Sequence, residues 1–141
     1  MFEDDELITY GILEADKKKD IMERMYQMYF SVKKLYDNVN PDFVFIEDTH
    51  YQRNFASFQS LSQMQGVILS ILFEKNVGFQ IVKPSTWKSV TKVKGRKRKE
   101  QKESAMQIVK EKYKINVSED VAEAILIGLW GTKLFQKEKI K

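Results

Sequence analysis

The sequence predicts an α/β fold in which a mixed or parallel sheet is flanked by helices. Short apolar runs that suit strands alternate along the 141 residues with longer segments whose apolar residues recur at helical spacing. The clearest strand is Phe43 to Ile46, because its apolar run is unbroken and Pro41 disfavours a helix leading into it. No internal repeat or linker interrupts the pattern, so residues 1–141 are expected to form a single domain.

Two further strands are predicted. Leu7 to Leu13 alternates loosely and is rich in Ile, Thr and Tyr, after an acidic turn at residues 3–6. Phe79 to Val82 is a short apolar run that follows a turn signal at residues 76–78.

Helices are predicted where apolar residues recur at three- and four-residue steps. Asp20 is the expected N-cap of the first, and Pro84 is expected to begin a short one. Gly66 lies inside the second helix, where a glycine often permits close approach of a neighbouring backbone. The helices are expected over Asp20 to about Tyr36, residues 56–75, a short segment from Pro84, Lys99 to about Tyr113, and Val117 to about Phe135. The buried side of the second is expected to carry Leu61, Met64, Ile68, Leu69 and Leu72.

Composition excludes several kinds of site. Without cysteine there is no disulfide, thiolate zinc site or cysteine nucleophile, and one histidine excludes a histidine-rich metal site. Any metal ion would therefore be a hard cation on oxygen ligands. No apolar run reaches membrane-spanning length and no signal peptide is recognised, so we expect a cytoplasmic protein that does not bind membranes.

Three carboxylates are candidate metal ligands. Glu47 follows the strand Phe43 to Ile46, at the edge where α/β sheets place their ligands. Asp120 and Glu123 share one face near the start of the last helix, which is apolar and rich in small residues such as Ala122, Ala124 and Gly128. We expect this packing to hold both acids near the sheet edge and away from solvent. Each acid also has an ordinary explanation, as a solvated residue after a strand or a partner of the helix dipole.

A basic segment around Gly95 is the candidate phosphate-binding loop. The basic surplus of this modestly basic chain, with a pI near 9.1, is concentrated in residues 83–102 and the tail. The alternative is a solvated surface without a ligand. The cations are Lys92, Lys94, Arg96, Lys97, Arg98, Lys99 and Lys102. Tyr51 and Phe55, with Arg53 between them, could stack on splayed bases or pack against the core. His50 could assist proton transfer, contact phosphate or have no role.

Four motifs in order resemble RuvC-type Holliday junction resolvases of the ribonuclease-H-like superfamily. Phe45-Ile46-Glu47, followed by Asn54, Ser57, Leu61, Gln63 and Gly66, is similar to the family's acidic strand end and long helix. The other three are a Lys-Pro-Ser-Thr-Trp-Lys segment at 83–88, a glycine-containing basic loop with Lys99, and the helix start Asp120-Val121-Ala122-Glu123-Ala124. The likeness extends from Leu7 to about Trp130, and lactococcal-type phage resolvases look most similar.

The resemblance implies a ribonuclease-H-like mixed sheet and a homodimer that nicks opposing strands of a four-way DNA junction. It implies catalytic roles for Glu47, Asp120, Glu123, Lys88 and Lys99, the three acids holding Mg²⁺, with Mn²⁺ as an alternative. DNA contacts are expected from His50, Tyr51, Arg53, Lys92, Lys94, Arg96, Lys97 and Arg98. Recombination, repair or phage DNA processing would be the setting, inside the bacterial host if the protein is phage-encoded.

The chain departs from the family pattern at two places. Glu123 stands where the family has Asp, which lengthens that ligand by one methylene. The family also opens with a strand that bears an aspartate, and no such strand precedes Leu7. We consider a shortened form of a longer enzyme, a junction-binding module without catalysis, or replacement of the strand by another segment, and we favour the first. We therefore expect residues 1–141 alone to cut poorly.

Two alternative functions are retained. A catalytically impaired module would bind junction DNA through the same basic surface without Mg²⁺-dependent product. Another nuclease of the same fold would act on RNA–DNA hybrids and would not prefer a four-way junction.

Overall fold

The computed structural model describes residues 1–50 and 54–140 of the chain. The elements in this part of the chain are β1 Phe2–Glu3, β2 Glu6–Leu7, α1 Ile21–Val39, β3 Phe43–Glu47, α2 Phe55–Lys75, β4 Gly78–Val82, α3 Pro84–Thr91, α4 Arg98–Tyr113 and α5 Glu119–Ile140. Strand β1 pairs with β2 as an antiparallel hairpin, and β3 pairs with β4 in a second sheet.

The elements belong to two compact units. One unit contains Met1–Ile12 and Ile81–Lys141, and the other contains Leu13–Gln80. Strand β4 begins in the second of these, and its last two residues belong to the first.

Helix α5 is the centre of the first unit. It packs against α3 and α4, which contribute Trp87 and Val109 to a core that excludes solvent from both side chains. On α5 itself the residues with buried apolar side chains are Val121, Ala122, Ile125, Leu126, Ile127, Leu129 and Trp130. Such a wide apolar surface fits a helix covered on several sides, so the first turn of α5 is held rigidly by the turns that follow.

The β1–β2 hairpin packs on α5 at Gly128. A β-carbon added at Gly128 would lie 2.6 Å from the ring of Phe2, closer than van der Waals contact allows. The predicted acidic turn is confirmed, since Phe2 pairs with Leu7 and Asp4 takes the left-handed conformation at φ 53°. The prediction that Gly128 permits tight packing on a sheet is also confirmed.

The second unit contains the helical pair α1 and α2. Asp20 caps α1 as predicted, accepting a hydrogen bond from the backbone N–H of Glu23 at 2.9 Å. Lys33 pairs with Glu74 at 3.7 Å, and Lys75 pairs with Asp37. Of the described residues in this unit, those with buried apolar side chains are Val32, Ile71 and Leu72. Within the described ranges, no helix is long and apolar enough to cross a membrane.

The predicted strand from Leu7 to Leu13 is wrong beyond its first residue. Strand β2 ends at Leu7, because β1 is too short to pair further, and residues 8–16 have no regular structure. The last backbone hydrogen bonds across the hairpin join Ile8 to Met1 and the Met1 amine to Thr9. Alternating apolar residues indicate a strand only where a neighbouring backbone supplies hydrogen bonds.

Three finer predictions about helix packing are also wrong. Leu61 is exposed, and the fully buried α2 residues are Ile71 and Leu72 near the other end. Among the residues that the structure describes, Gly66 has no neighbour within 4 Å of an added β-carbon, so none of their backbones approaches it closely. Ala124 on α5 is exposed as well, although Ala122 is buried.

The contrast along α2 gives a stability test. Leu72→Ala is expected to lower the free energy of unfolding by about 3 kcal/mol, because it empties a fully buried site. Leu61→Ala makes the same chemical change where the side chain is 60% exposed, and should cost about 0.5 kcal/mol or less. Urea unfolding measures both, and equal losses would contradict the burial described for α2.

Candidate active site

The first two turns of α5 present three carboxylates to one lysine of α4. The ammonium Nζ of Lys102 lies 3.0 Å from Oε2 of Glu119, 3.9 Å from Oδ1 of Asp120 and 3.8 Å from Oε1 of Glu123. Ser118 closes the turn, because its hydroxyl accepts a weak hydrogen bond from the backbone N–H of Val121 at 3.4 Å. The predicted pair Asp120 and Glu123 is therefore brought together.

The two predicted acids differ in exposure. Glu123 is largely covered, with 19% of its side chain exposed, as is Lys102 with the same fraction. Asp120 is 86% exposed, so the expectation that packing keeps both acids out of solvent is wrong for this one. The reason is its place on α5, since Val121 and Ala122 take the buried positions that follow.

The α5 carboxylates fit a divalent cation by their chemistry. Asp120 and Glu123 both direct an oxygen toward one cationic nitrogen, and carboxylate oxygens are the ligands that Mg²⁺ and Mn²⁺ prefer. Across residues 1–50 and 54–140, however, no group of three or more His, Asp or Glu side chains is arranged to hold a metal ion. A complete metal site thus requires a ligand beyond this pair.

Lys88, the first predicted catalytic lysine, is held by a glutamine. Its Nζ donates to Oε1 of Gln101 at 3.0 Å and lies 5.5 Å from the centre of the Trp87 ring. The nitrogen of the same Gln101 amide group, Nε2, donates to the backbone carbonyl of Gly95 at 3.1 Å. Gln101 therefore connects Lys88 to the basic loop.

The basic loop, residues 92–97, is fixed to the first turns of α4 by its backbone. Oε2 of Glu100 accepts hydrogen bonds from the N–H groups of Arg96 at 2.8 Å and Lys97 at 3.2 Å, and Oγ of Ser104 accepts from Lys94 N–H at 3.0 Å. Gly95 has φ +126°, and a β-carbon there would lie 2.6 Å from that of Glu100. The loop needs glycine at this position for both reasons.

The charged side chains of this region point to solvent while its backbone is fixed. The exposed cations are Lys92, Lys94, Arg96, Lys97, Arg98 and Lys99. This is the arrangement expected of a surface that contacts phosphates, because the charges need no rearrangement to reach a polyanion. Lys102 is the exception among the predicted cations, since it faces the α5 carboxylates.

Glu47 belongs to the other unit, where it ends β3 as predicted. Its side chain is half-buried, and its backbone carbonyl accepts a long hydrogen bond from Nε2 of Gln65 at 3.4 Å. The hydroxyls of Thr49 and Ser62 are 3.1 Å apart and join the following segment to α2. The end of β3 is therefore anchored to α2 at two points.

The predicted base-stacking segment lies mostly outside the described residues. His50 is exposed, whereas Tyr51 and Arg53 are not among the residues that the structure describes. Phe55 begins α2 and is 61% exposed, so of the two predictions made for it, core packing is wrong.

Sequence reasoning missed the roles of Lys102, Gln101 and Glu100. The sequence places Lys102 among the cations of the candidate phosphate-binding loop and predicts no specific contact for Glu100 or Gln101, which only belong to the motif that resembles the family's basic loop. Their spacing carried one usable signal, because Glu100 stands at the third position of α4, where a glutamate often bonds the backbone before a helix. The contacts that α4 makes with α3 and α5 join residues that are distant in the sequence, so local spacing cannot predict them.

Comparison with known protein families finds a match over most of the chain. Residues 3–130 match the family described as crossover junction endodeoxyribonuclease RuvC. The protein of that name from Dictyoglomus thermophilum is 29% identical over 127 residues, which are 89% of this chain and 80% of that relative. The Prochlorococcus marinus protein of the same name is 26% identical over 128 residues, 91% of this chain and 80% of its own.

Solved structures of RuvC proteins resemble this chain in fold. Thermus thermophilus RuvC in complex with Holliday junction substrate has a TM-score of 0.68 at 14% identity, covering 88% of this chain and 78% of that one. A second Thermus thermophilus RuvC structure also has a TM-score of 0.68, at 15% identity, covering 91% and 79%. The predicted ribonuclease-H-like α/β fold is thereby confirmed.

The hydrogen bonds of Glu100 give a test of the fixed loop. In Glu100→Ala the amides of Arg96 and Lys97 lose their acceptor, and their hydrogen exchange is expected to be about 5-fold faster. Exchange measured by NMR reports each amide separately. Glu103→Ala, an exposed change on the same helix, is the control, and unchanged protection in Glu100→Ala would contradict the anchoring.

Proposed function

The chain belongs to the crossover junction endodeoxyribonuclease RuvC family, and on that premise we propose how its residues perform junction resolution. The protein is a structure-specific endonuclease for four-way DNA junctions. Hydrolysis in this family is metal-dependent, and we propose Mg²⁺ as the ion, with Mn²⁺ as a substitute. The proposed ligands are Glu47, Asp120 and Glu123.

The observation that supports the metal assignment is that two α5 carboxylates lie near the same cation, the ammonium group of Lys102. Asp120 and Glu123 both lie within 4 Å of one ammonium nitrogen, so the same oxygens can approach a metal ion. Glu47 is proposed as the third ligand because it ends β3 at the family's acidic position.

The proposed chemistry is an in-line displacement at a phosphodiester. Bound divalent cations would supply an activated water and stabilise the leaving 3′ oxygen, which leaves a 5′-phosphate and a 3′-hydroxyl. Glu47, Asp120 and Glu123 would hold those ions. Lys88 and Lys99 add positive charge near the transition state, where negative charge on the phosphoryl oxygens increases.

Lys88 is suited to this role by its surroundings. Its ammonium rests against Trp87 and is hydrogen-bonded to Gln101, so its position is fixed before DNA arrives. A group held in this way loses little entropy when the reaction proceeds. Lys99 is exposed on the first turn of α4, beside the basic loop.

The basic loop is proposed to bind the phosphate backbones of the junction. Its cations are exposed and its backbone is anchored by Glu100, Gln101 and Ser104, so charges from one rigid segment can contact several phosphates. His50, Tyr51 and Arg53 are proposed to contact the junction centre, where bases are unstacked.

A homodimer is proposed because two opposing strands must be cut. Exposed apolar side chains on α2, namely Phe55 at 61%, Leu61 at 60% and Phe73 at 66%, support a partner for that helix. Two copies related by a two-fold axis would present two active sites to a four-way junction. We place the protein in the cytoplasm, where its DNA substrate would be.

The first test of this proposal is cleavage of a labelled four-way junction under single-turnover conditions with excess protein, so that slow cutting is measurable. Mg²⁺-dependent nicks are expected in opposing strands. Glu47→Gln and Asp120→Asn should each lower the rate by about 100-fold or more, because each removes a metal ligand. Junction affinity measured in Ca²⁺ should stay within about 3-fold, since neither residue is in the basic loop.

Equal cleavage by the wild type and both variants would contradict the assignment of these ligands. Equal affinity for a junction and a linear duplex would contradict structure-specific recognition. Junction binding without any Mg²⁺-dependent product would instead favour the binding module.

The second test is the salt dependence of junction binding. Lys97→Gln and Arg96→Gln are each expected to weaken binding and to reduce the slope of log affinity against log salt by about 1, because each removes one phosphate contact. Fluorescence anisotropy over a range of salt concentrations measures the slope. Lys110→Gln, an exposed lysine far along α4, is the matched control. Slopes identical to the wild type would exclude the basic loop from the interface.

A further inference from the structure

Lys102 is a cation placed among the acids that are proposed to hold the metal ion. It reaches them from α4, with 19% of its side chain exposed, and its contacts with the α5 acids are unequal. Glu119 is within hydrogen-bonding distance at 3.0 Å, whereas Asp120 and Glu123 lie at 3.9 and 3.8 Å. Lys102 is thus within hydrogen-bonding distance of Glu119, which is not a proposed metal ligand. It lies only near Asp120 and Glu123, which are proposed ligands.

We propose that Lys102 is an internal counter-ion that competes with the divalent cation for Asp120 and Glu123, and that Glu119 holds the lysine once the metal ion binds. This inference deepens the proposed function and rests on its metal site. It assigns roles to two residues that are not proposed as metal ligands.

The physical reason is charge. Without a metal ion the acids repel each other, and the Lys102 ammonium compensates for that repulsion. A divalent cation on Asp120 and Glu123 would lie close to the ammonium, and the two positive charges would repel. The two longer contacts would be lost, while the short pair with Glu119 would remain and limit the cost of the exchange.

Two substitutions should then change metal affinity in opposite directions. Lys102→Gln removes the competitor, and Mn²⁺ should bind about 5-fold more tightly. Glu119→Gln removes the partner that retains the lysine, so Lys102 depends more on Asp120 and Glu123, and Mn²⁺ should bind about 5-fold more weakly. Lys102→Arg keeps the charge and should stay within about 2-fold of the wild type.

The experiment is calorimetric titration of Mn²⁺ into the full chain without DNA, so the readout is independent of cleavage. The double variant Lys102→Gln/Glu119→Gln distinguishes the proposed replacement of Lys102 by the metal ion from a general effect of removing charge. Without the lysine, Glu119 has no cation to retain, and the effect of Glu119→Gln should fall below about 2-fold. Lys110→Gln controls for the loss of a positive charge elsewhere on α4.

Thermal unfolding supplies a second readout. In metal-free buffer Lys102→Gln should unfold about 2–4 °C lower than the wild type, because the acids lose their counter-ion. Addition of Mn²⁺ should raise the unfolding temperature of Lys102→Gln more than that of the wild type.

The outcomes distinguish a failure of this inference from a failure of the proposed metal site. If Asp120→Asn abolishes Mn²⁺ binding but Lys102→Gln leaves the affinity unchanged or weaker, the competition is overturned and the metal site stands. An effect of Glu119→Gln that is equal in both backgrounds overturns the retaining role. If Asp120→Asn binds Mn²⁺ as the wild type does, or no variant binds it, the proposed metal site fails and the inference fails with it.

Discussion

The packing of α5 against α3 and α4 is the constraint on which the described site depends. Leu126 and Trp87 are fully buried in this contact, and α5 has buried residues from Val121 to Trp130. Because the helix cannot rotate without exposing them, its first two turns keep Asp120 and Glu123 beside Lys102. The same packing places α4, to which the basic loop is anchored, next to those acids.

Local signals in the sequence predicted much of the fold. Asp20 and Pro84 mark helix starts because a capping side chain and a proline act within one turn of the chain. The acidic turn at residues 3–6 and the strand that ends at Glu47 were predictable for the same reason. The family resemblance then rested on four motifs in order, which composition and periodicity alone could not have identified.

What the sequence could not predict depends on contacts between distant residues. Alternation in Leu7 to Leu13 looked like a strand, but β1 pairs only with Glu6 and Leu7, and the hydrogen bonds from Met1 extend only to Ile8 and Thr9. Leu61 fits the apolar spacing of α2 and is nevertheless exposed, since spacing cannot tell which turns a neighbour covers. The roles of Gln101 and Lys102 arise from contacts between helices and have no signature in the order of residues.

The central claim is that the α5 carboxylates hold the metal ion of a junction endonuclease. Anomalous diffraction from crystals soaked in Mn²⁺ tests it most directly, because the ion is located independently of any activity. The account predicts an anomalous peak coordinated by Asp120 and Glu123, with Glu47 as a further ligand and Lys102 displaced toward Glu119. Bound Mn²⁺ elsewhere, with Lys102 still between these two acids, would contradict it.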